Sequence, residues 1–144
     1  MLDIVEDKQD FWLVYELGGP NLTKNLFDVK GEFYQGERIY YIHHNNFYFA
    51  LKENWQLLQE FLTKMLQVFD LLQALDIVHA DIKPDNILVD FDGSKIKSLK
   101  IIDFGSAFVF SKVKSVPATT PEYLAPEVLA FMDKRSKGMI EPCA

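Results

Sequence analysis

Cysteine is almost absent from this chain. Cys143 stands alone among 144 residues, so no disulfide can form within the chain, and a reducing, intracellular setting, cytoplasmic or nuclear, is expected. Long apolar runs are lacking too: the densest, Phe47 to Leu51, is five residues, against the roughly 18 that a membrane span requires. The N-terminus, Met1-Leu2-Asp3-Ile4-Val5-Glu6-Asp7, carries acids where a secretory signal needs a basic stretch followed by an apolar one, so no export is implied. Basic excess is missing as well, since Lys+Arg 15 against Asp+Glu 21 leaves a net charge of −6 and a pI near 5.0. Without a basic patch, neither nucleic acid nor an anionic membrane is an expected partner. No internal repeat, low-complexity tract or long charge run divides the chain.

What is present suits a globular domain. Hydrophobic residues make up 49% and charged residues 25%, and a chain of this size should bury roughly 70% of its unfolded surface, enough to dispense with staples. Phe11 to Leu17 is aromatic and branched and stops at Gly18-Gly19-Pro20, which predicts a buried strand running into a loop. From Trp55 to Leu75 the apolar residues Leu58, Phe61, Leu62, Met65, Phe69, Leu72 and Leu75 fall on the stripe of an amphipathic helix. Ile87-Leu88-Val89, then Asp92-Gly93, then Leu99-Lys100-Ile101-Ile102 predicts a small hairpin.

Seven aromatic residues lie between Gly31 and Ala50: Phe33, Tyr34, Tyr40, Tyr41, Phe47, Tyr48 and Phe49. Two readings are open for them. One is a local hairpin turning at Asn45-Asn46 whose aromatics cover the long helix; the other is a docking surface for a protein partner. His43 and His44 are adjacent and have no cysteine or carboxylate pair at ligand spacing, so a zinc site is not expected there.

The most informative stretch is His79-Ala80-Asp81-Ile82-Lys83-Pro84-Asp85-Asn86, followed by Asp103-Phe104-Gly105 and by Thr120-Pro121-Glu122-Tyr123-Leu124-Ala125-Pro126-Glu127. In this order and spacing the three motifs resemble a protein kinase, over about Phe11 to Phe131, and protein kinases are the type case of the phosphoryl-transfer template applied to these positions. Lys83 two residues after Asp81, with Thr120-Pro121-Glu122-Tyr123, resembles serine/threonine rather than tyrosine kinases.

Phosphoryl transfer needs hard metal ions, a positive donor and a group that orients the incoming hydroxyl. Asn86 and Asp103, at the ends of the hairpin strands, can offer oxygen ligands to magnesium. Asp81, five residues before Asn86 on a loop tightened by Pro84, can hold the substrate hydroxyl and finally accept its proton. Lys83 supplies a point charge for the γ-phosphate. The resemblance further implies that Thr120 hydrogen-bonds Asp81 and Lys83, and that His79 braces the loop. It implies that Tyr15 is the gatekeeper, that the Glu16 carbonyl and Gly18 amide bind the adenine edge, and that Leu88 is the apolar floor beneath it.

The pattern has departures. Ala80 replaces the arginine that pairs with a phosphorylated activation segment, and Val116 stands at the matching phosphosite, so an ordered segment without phosphorylation is expected. Among the seven glycines no Gly-x-Gly-x-x-Gly occurs, and no Val-Ala-Ile-Lys strand precedes Phe11. Glu127, which pairs in the family with a distant arginine, is followed only by Arg135. The resemblance thus implies an α+β, partial protein-kinase-like fold, mainly the helical C-lobe with a small β-hairpin. Residues 1–131 are read as a partial kinase domain with an aromatic-rich insertion at about 31–54, and residues 132–144 as an unassigned tail. The implied function is ATP-dependent phosphorylation of protein serine/threonine hydroxyls by the parent domain, with ATP and Mg2+ as cofactors and a protein substrate. This chain alone is expected to be inactive; a non-catalytic, pseudokinase-like interaction module is the alternative.

Overall fold

The computed structural model describes residues 2–8, 10–112, 120–126 and 128–130. Val116, Glu127, Arg135, Cys143 and the 132–144 tail lie outside the described residues. Strands β1 (Asp3–Asp7) and β2 (Asp10–Val14) form an antiparallel hairpin. After the Gly18-Gly19 loop come a short helix α1 (Leu22–Leu26), a second hairpin of β3 (Phe27–Tyr34) and β4 (Glu37–His44), and helices α2 (Asn46–Glu53) and α3 (Trp55–Ala74). The chain then makes β5 (Ile77–Val78), the loop from His79 to Asn86, the hairpin of β6 (Ile87–Phe91) and β7 (Ile96–Ile101), and β8 (Phe108–Val109), which pairs with β5.

Asparagines set the joints. The Asn21 side chain accepts from the Lys24 amide at 2.9 Å and starts α1. Asn54 ends α2, its amide donating to Ala50, and its side chain accepts from Leu57 at 3.1 Å to start α3. An Asn oxygen in this place satisfies amides that a helix end leaves without partners. The core of Leu22, Phe47, Leu57, Met65, Ile87, Val89 and Ile96 fills the space between α1, α2, α3 and the β6–β7 hairpin. That core fixes the base of the hairpin on which the site is built.

The long helix and the β6–β7 hairpin follow the sequence reading; three details do not. Residues 11–17 hold a strand only as far as Val14, and it is exposed, with Trp12 at 62%. Its apolar residues sit on a two-stranded ribbon whose residues are all exposed, and apolar content alone does not tell a buried strand from an uncovered one. The aromatic segment turns at Gln35-Gly36, both with positive φ (51° and 87°), the backbone that a two-residue hairpin loop prefers. Asn45-Asn46 instead opens α2, and Phe47 is the buried aromatic, meeting Phe61 and Phe91 edge-on or tilted at 6.2 and 4.8 Å. The hairpin aromatics Phe33, Tyr34, Tyr40 and Tyr41 are exposed and do not cover the helix. Finally, the inward face of α3 is Leu57, Phe61, Met65, Val68 and Leu72, whereas Leu62, Phe69 and Leu75 are exposed. The helix is apolar on more than one face, so periodicity fixed its existence but not its rotation.

Candidate active site

Asp81 is the focus of the loop. Its Oδ1 accepts the Thr120 amide at 3.2 Å and the Thr120 hydroxyl at 2.7 Å. Its Oδ2 takes the Lys83 ammonium at 2.8 Å and the Asn86 side-chain amide at 3.1 Å. Lys83 Nζ also donates to Thr120 Oγ1 at 2.7 Å, so Asp81, Lys83 and Thr120 close a triangle. A carboxylate has about four acceptor positions, and here four donors address them. These charge-assisted bonds, from Lys83 first and then Thr120, hold the Asp81 carboxyl far below the usual carboxylate range; partial desolvation opposes them without prevailing. The Lys83 ammonium is correspondingly held above its ordinary value, chiefly by its hydrogen bond to Asp81, against desolvation.

The loop is pinned from behind. His79 is 3% exposed; its Nδ1 accepts the Asp81 amide at 3.3 Å, which places the ring proton on Nε2 to donate to the Ile102 carbonyl at 3.0 Å. Its ring meets Phe104 in an edge contact at 4.7 Å. His79 thereby ties the Asp81 loop to the segment leading into Asp103. Between His79 and Asp81, Ala80 takes a left-handed φ of 66°.

Asn86 is 6% exposed, and its amide nitrogen donates to both the Asp81 carbonyl (2.9 Å) and Asp81 Oδ2 (3.1 Å). With both donors engaged, the amide orientation is set and Oδ1 faces away from Asp81. The Ile102 amide donates to the Asn86 carbonyl at 2.9 Å, which puts Asn86 beside the residue preceding Asp103. Asp103 has a left-handed backbone (φ 64°), accepts the Gly105 amide at 3.3 Å and keeps its carboxylate exposed. An amide oxygen and a free carboxylate at one hairpin end are hard donors suited to magnesium, which needs few protein ligands where phosphates complete its shell. Among the described residues no cluster of three or more His, Cys, Asp or Glu is assembled.

Residues 15–20, which we call the hinge, run across β6 at Leu88 and Val89. A side chain at Gly18 would collide with Leu88, and one at Gly19 would press on the backbone of Val89 and Asp90. The Val89 amide donates to the Pro20 carbonyl at 3.0 Å, and the Asn25 side chain donates to the Val89 carbonyl at 2.9 Å. Among the described residues the Glu16 carbonyl and Gly18 amide have no backbone hydrogen-bond partner. Tyr15 is exposed and does not join this group.

A family model, the protein kinase domain, matches residues 1–141. The chain belongs to the protein kinase family. Its relatives are serine/threonine kinases: human Citron Rho-interacting kinase is 40% identical over 98 residues, covering 65% of this kinase chain and 4% of that protein. Mouse serine/threonine-protein kinase MRCK gamma is 36% identical over 91 residues, 60% of this chain and 6% of that protein. Human MRCK alpha is 37% identical over 86 residues, 57% of this chain and 5% of that protein. This chain therefore spans a small fraction of the length of these relatives.

Sequence reasoning missed Lys100, whose ammonium pairs with the Glu16 carboxylate at 2.9 Å. No local pattern marked it: Lys100 stands opposite Leu88 in the hairpin, but a register shift at Asp90/Phe91 makes counting from the Asp92-Gly93 turn pair Leu88 with Leu99 instead.

Proposed function

We propose that this kinase is an ATP-dependent serine/threonine protein kinase whose transfer step is run by Asp81, Lys83 and Thr120. The Glu16 carbonyl, Gly18 amide and Leu88 take the adenine; Asn86 Oδ1 and the Asp103 carboxylate hold magnesium. Bound there, Mg-ATP supplies the γ-phosphoryl group and the cation that offsets its charge. The observation that carries this reading is the convergence of Lys83, Thr120 and Asn86 on the one carboxylate of Asp81.

That convergence supports one order of events. Because four donors address Asp81, an incoming serine or threonine hydroxyl must displace one of them. Lys83 is the natural one, being the longest and most flexible donor, with a side chain 22% exposed. Swinging off Oδ2, it carries its charge toward the γ-phosphate while the hydroxyl takes its place. Asp81, so far below the usual carboxylate range, is a poor base toward a free hydroxyl. Its work is to orient the nucleophile, and it would receive the proton only as that oxygen bonds to the γ-phosphorus while the bond from phosphorus to the bridging oxygen breaks and ADP leaves. Thr120 holds Oδ1 still throughout.

These 144 residues contain no glycine-rich phosphate loop or strand lysine of the family pattern, so the phosphates lie open to water, which weakens positioning and field alike. We therefore expect this polypeptide alone to bind Mg-ATP weakly and to transfer phosphate below detection. The test is a thermal-shift titration with Mg-ATP beside radiolabel transfer to a serine/threonine protein substrate, with Asp81→Asn and Asp103→Asn controls. A shift that Asp103→Asn abolishes supports the site; no shift at all counts against it. Transfer that disappears in both variants would show the chain to be sufficient by itself. An interaction-module reading has one observation in its favour: Val29, Phe33, Tyr40 and Ile42 share one face of the β3–β4 ribbon and are all exposed.

A further inference from the structure

Leu88 and Lys100 are cross-strand partners in the β6–β7 hairpin, so their side chains leave the same face of the sheet. Each meets the hinge. Leu88 lies against Gly18, with no room for a side chain between them, while Lys100 Nζ reaches the Glu16 carboxylate at 2.9 Å. One rung of the hairpin therefore grips the hinge at two points two residues apart, one apolar and one ionic. The pair lowers the Glu16 carboxyl below its ordinary range, through the Lys100 hydrogen bond first.

We infer that Lys100 is a positioning residue for the nucleotide: through the Glu16 carboxylate it holds the hinge at a set height above Leu88, so that the Glu16 carbonyl and Gly18 amide meet the base together. The inference rests on reading residues 16–18 and Leu88 as the base-binding surface. Residues 15–20 belong to no helix, and β2 has already ended at Val14. Among the described residues the Glu16 end of the segment has no backbone hydrogen bond, whereas the Pro20 end is bonded to Val89. A half-exposed ion pair adds little to global stability. Its effect falls on ligand affinity, because an unfixed hinge must be ordered when the base binds.

The test measures dissociation constants of adenosine and of magnesium tripolyphosphate, which has no base, by calorimetry on the 144-residue chain. Lys100→Met and Glu16→Gln should each weaken adenosine by about threefold, the range of an exposed pair. The double variant should be no weaker than either single one, since both remove the same interaction. Lys100→Arg should stay within about twofold of the parent, because a guanidinium keeps the charge. Tripolyphosphate affinity should be unchanged in all four, as its ligands lie at Asn86 and Asp103. Higher ionic strength should narrow the gap between parent and Lys100→Met. Unchanged adenosine affinity in Lys100→Met, additive losses in the double variant, or equal losses of adenosine and tripolyphosphate would each overturn the inference. If the parent chain binds no adenosine, the base-binding reading falls first and the inference with it; normal parent binding with an indifferent Lys100→Met sinks the inference alone.

Discussion

The Asp81 loop and the β3–β4 ribbon are both irregular departures from the helical body, yet they satisfy themselves in opposite ways. Around Asp81 nearly every polar group has a partner within the chain: Lys83, Thr120, Asn86 and His79 bond to it or through it. Along β3–β4 the backbone ladder is complete from Phe27–His44 to Tyr34–Glu37, but the apolar side chains are largely exposed, Phe33 at 76%. Arg38 lies over the rings of Tyr40 and Phe33, at 5.3 and 5.8 Å from their centroids, and offers only partial cover. The first region is held by directional bonds that specify one geometry; the second is held mainly by backbone pairing and turn chemistry, with His44 packed against Tyr48 and Phe49 at its base. A region of the first kind can perform chemistry, because its groups do not have to be ordered when substrate arrives. A region of the second kind presents surface.

Substitution should expose that contrast most strongly where the core supports the site. Phe47 is 2% exposed and touches both the long helix and the hairpin strand through Phe61 and Phe91. Phe47→Ala should cost about 3 to 5 kcal/mol in chemical denaturation. Phe69, 37% exposed, should cost under about 2 kcal/mol when cut to alanine, because most of the transfer term depends on burial. A loss at Phe69 as large as that at Phe47 would mean that the outer face of α3 is covered in solution.

Next in size is Asn86→Ala. It removes a buried amide that engages the Asp81 carbonyl and carboxylate, leaving the carbonyl to find water while Lys83 keeps Oδ2, and should cost about 1 to 3 kcal/mol. The same change should abolish the Mg-dependent part of any ATP-induced thermal shift while leaving adenosine binding in place. If magnesium dependence survives, Asn86 is a brace for Asp81 and not a ligand.

The two regions also differ in how far the sequence disclosed them. Residues 79–86, 103–105 and 120 were legible because phosphoryl transfer demands particular groups at particular intervals, and the folded loop brings Asp81, Lys83, Asn86 and Thr120 within hydrogen-bond reach. The β6–β7 hairpin was legible because Asp92-Gly93 separates two branched runs. The ribbon was not. Gln35-Gly36 is a quieter turn signal than Asn45-Asn46, and both asparagines served a helix start instead. Rotation of α3 and exposure of β2 were illegible for a shared reason: apolar residues on two faces state that something can be covered, not which face is. Lys100 was hidden because an ion pair across 84 positions, from 16 to 100, leaves no local pattern.

Acid titration sharpens the comparison further, with smaller effects. A carboxyl lowered in the folded state stabilises fully above the unfolded aspartate value of about 3.9 and loses that contribution as pH falls toward its folded value. The melting difference between the parent and Asp81→Asn should thus be flat from neutral pH down to about 5 and shrink below about 4. Asp92, in the hairpin turn, is lowered to about 2 by the backbone amides of Ser94 and Lys95 and by the Ser94 hydroxyl. Its contribution should fade between about pH 4 and about pH 2. A difference for Asp81→Asn that grows toward acid would reverse the assigned sign.

The smallest expected effect lies on the ribbon, and its smallness is informative. Phe33→Ala removes a large ring, but the ring is mostly in water and its cross-strand neighbour is Arg38, so the stability change should stay within about 0.5 kcal/mol. The surface itself should change. Val29, Phe33, Tyr40 and Ile42 occupy one face in adjacent register, a contiguous apolar strip of the kind that binds hydrophobic dyes and partner proteins. Replacing Phe33 and Ile42 together by serine should lower dye fluorescence at neutral pH while leaving the melting curve nearly in place. A large drop in melting temperature would mean that the strip packs against part of this chain, since removing side chains that touch only water costs a fold almost nothing.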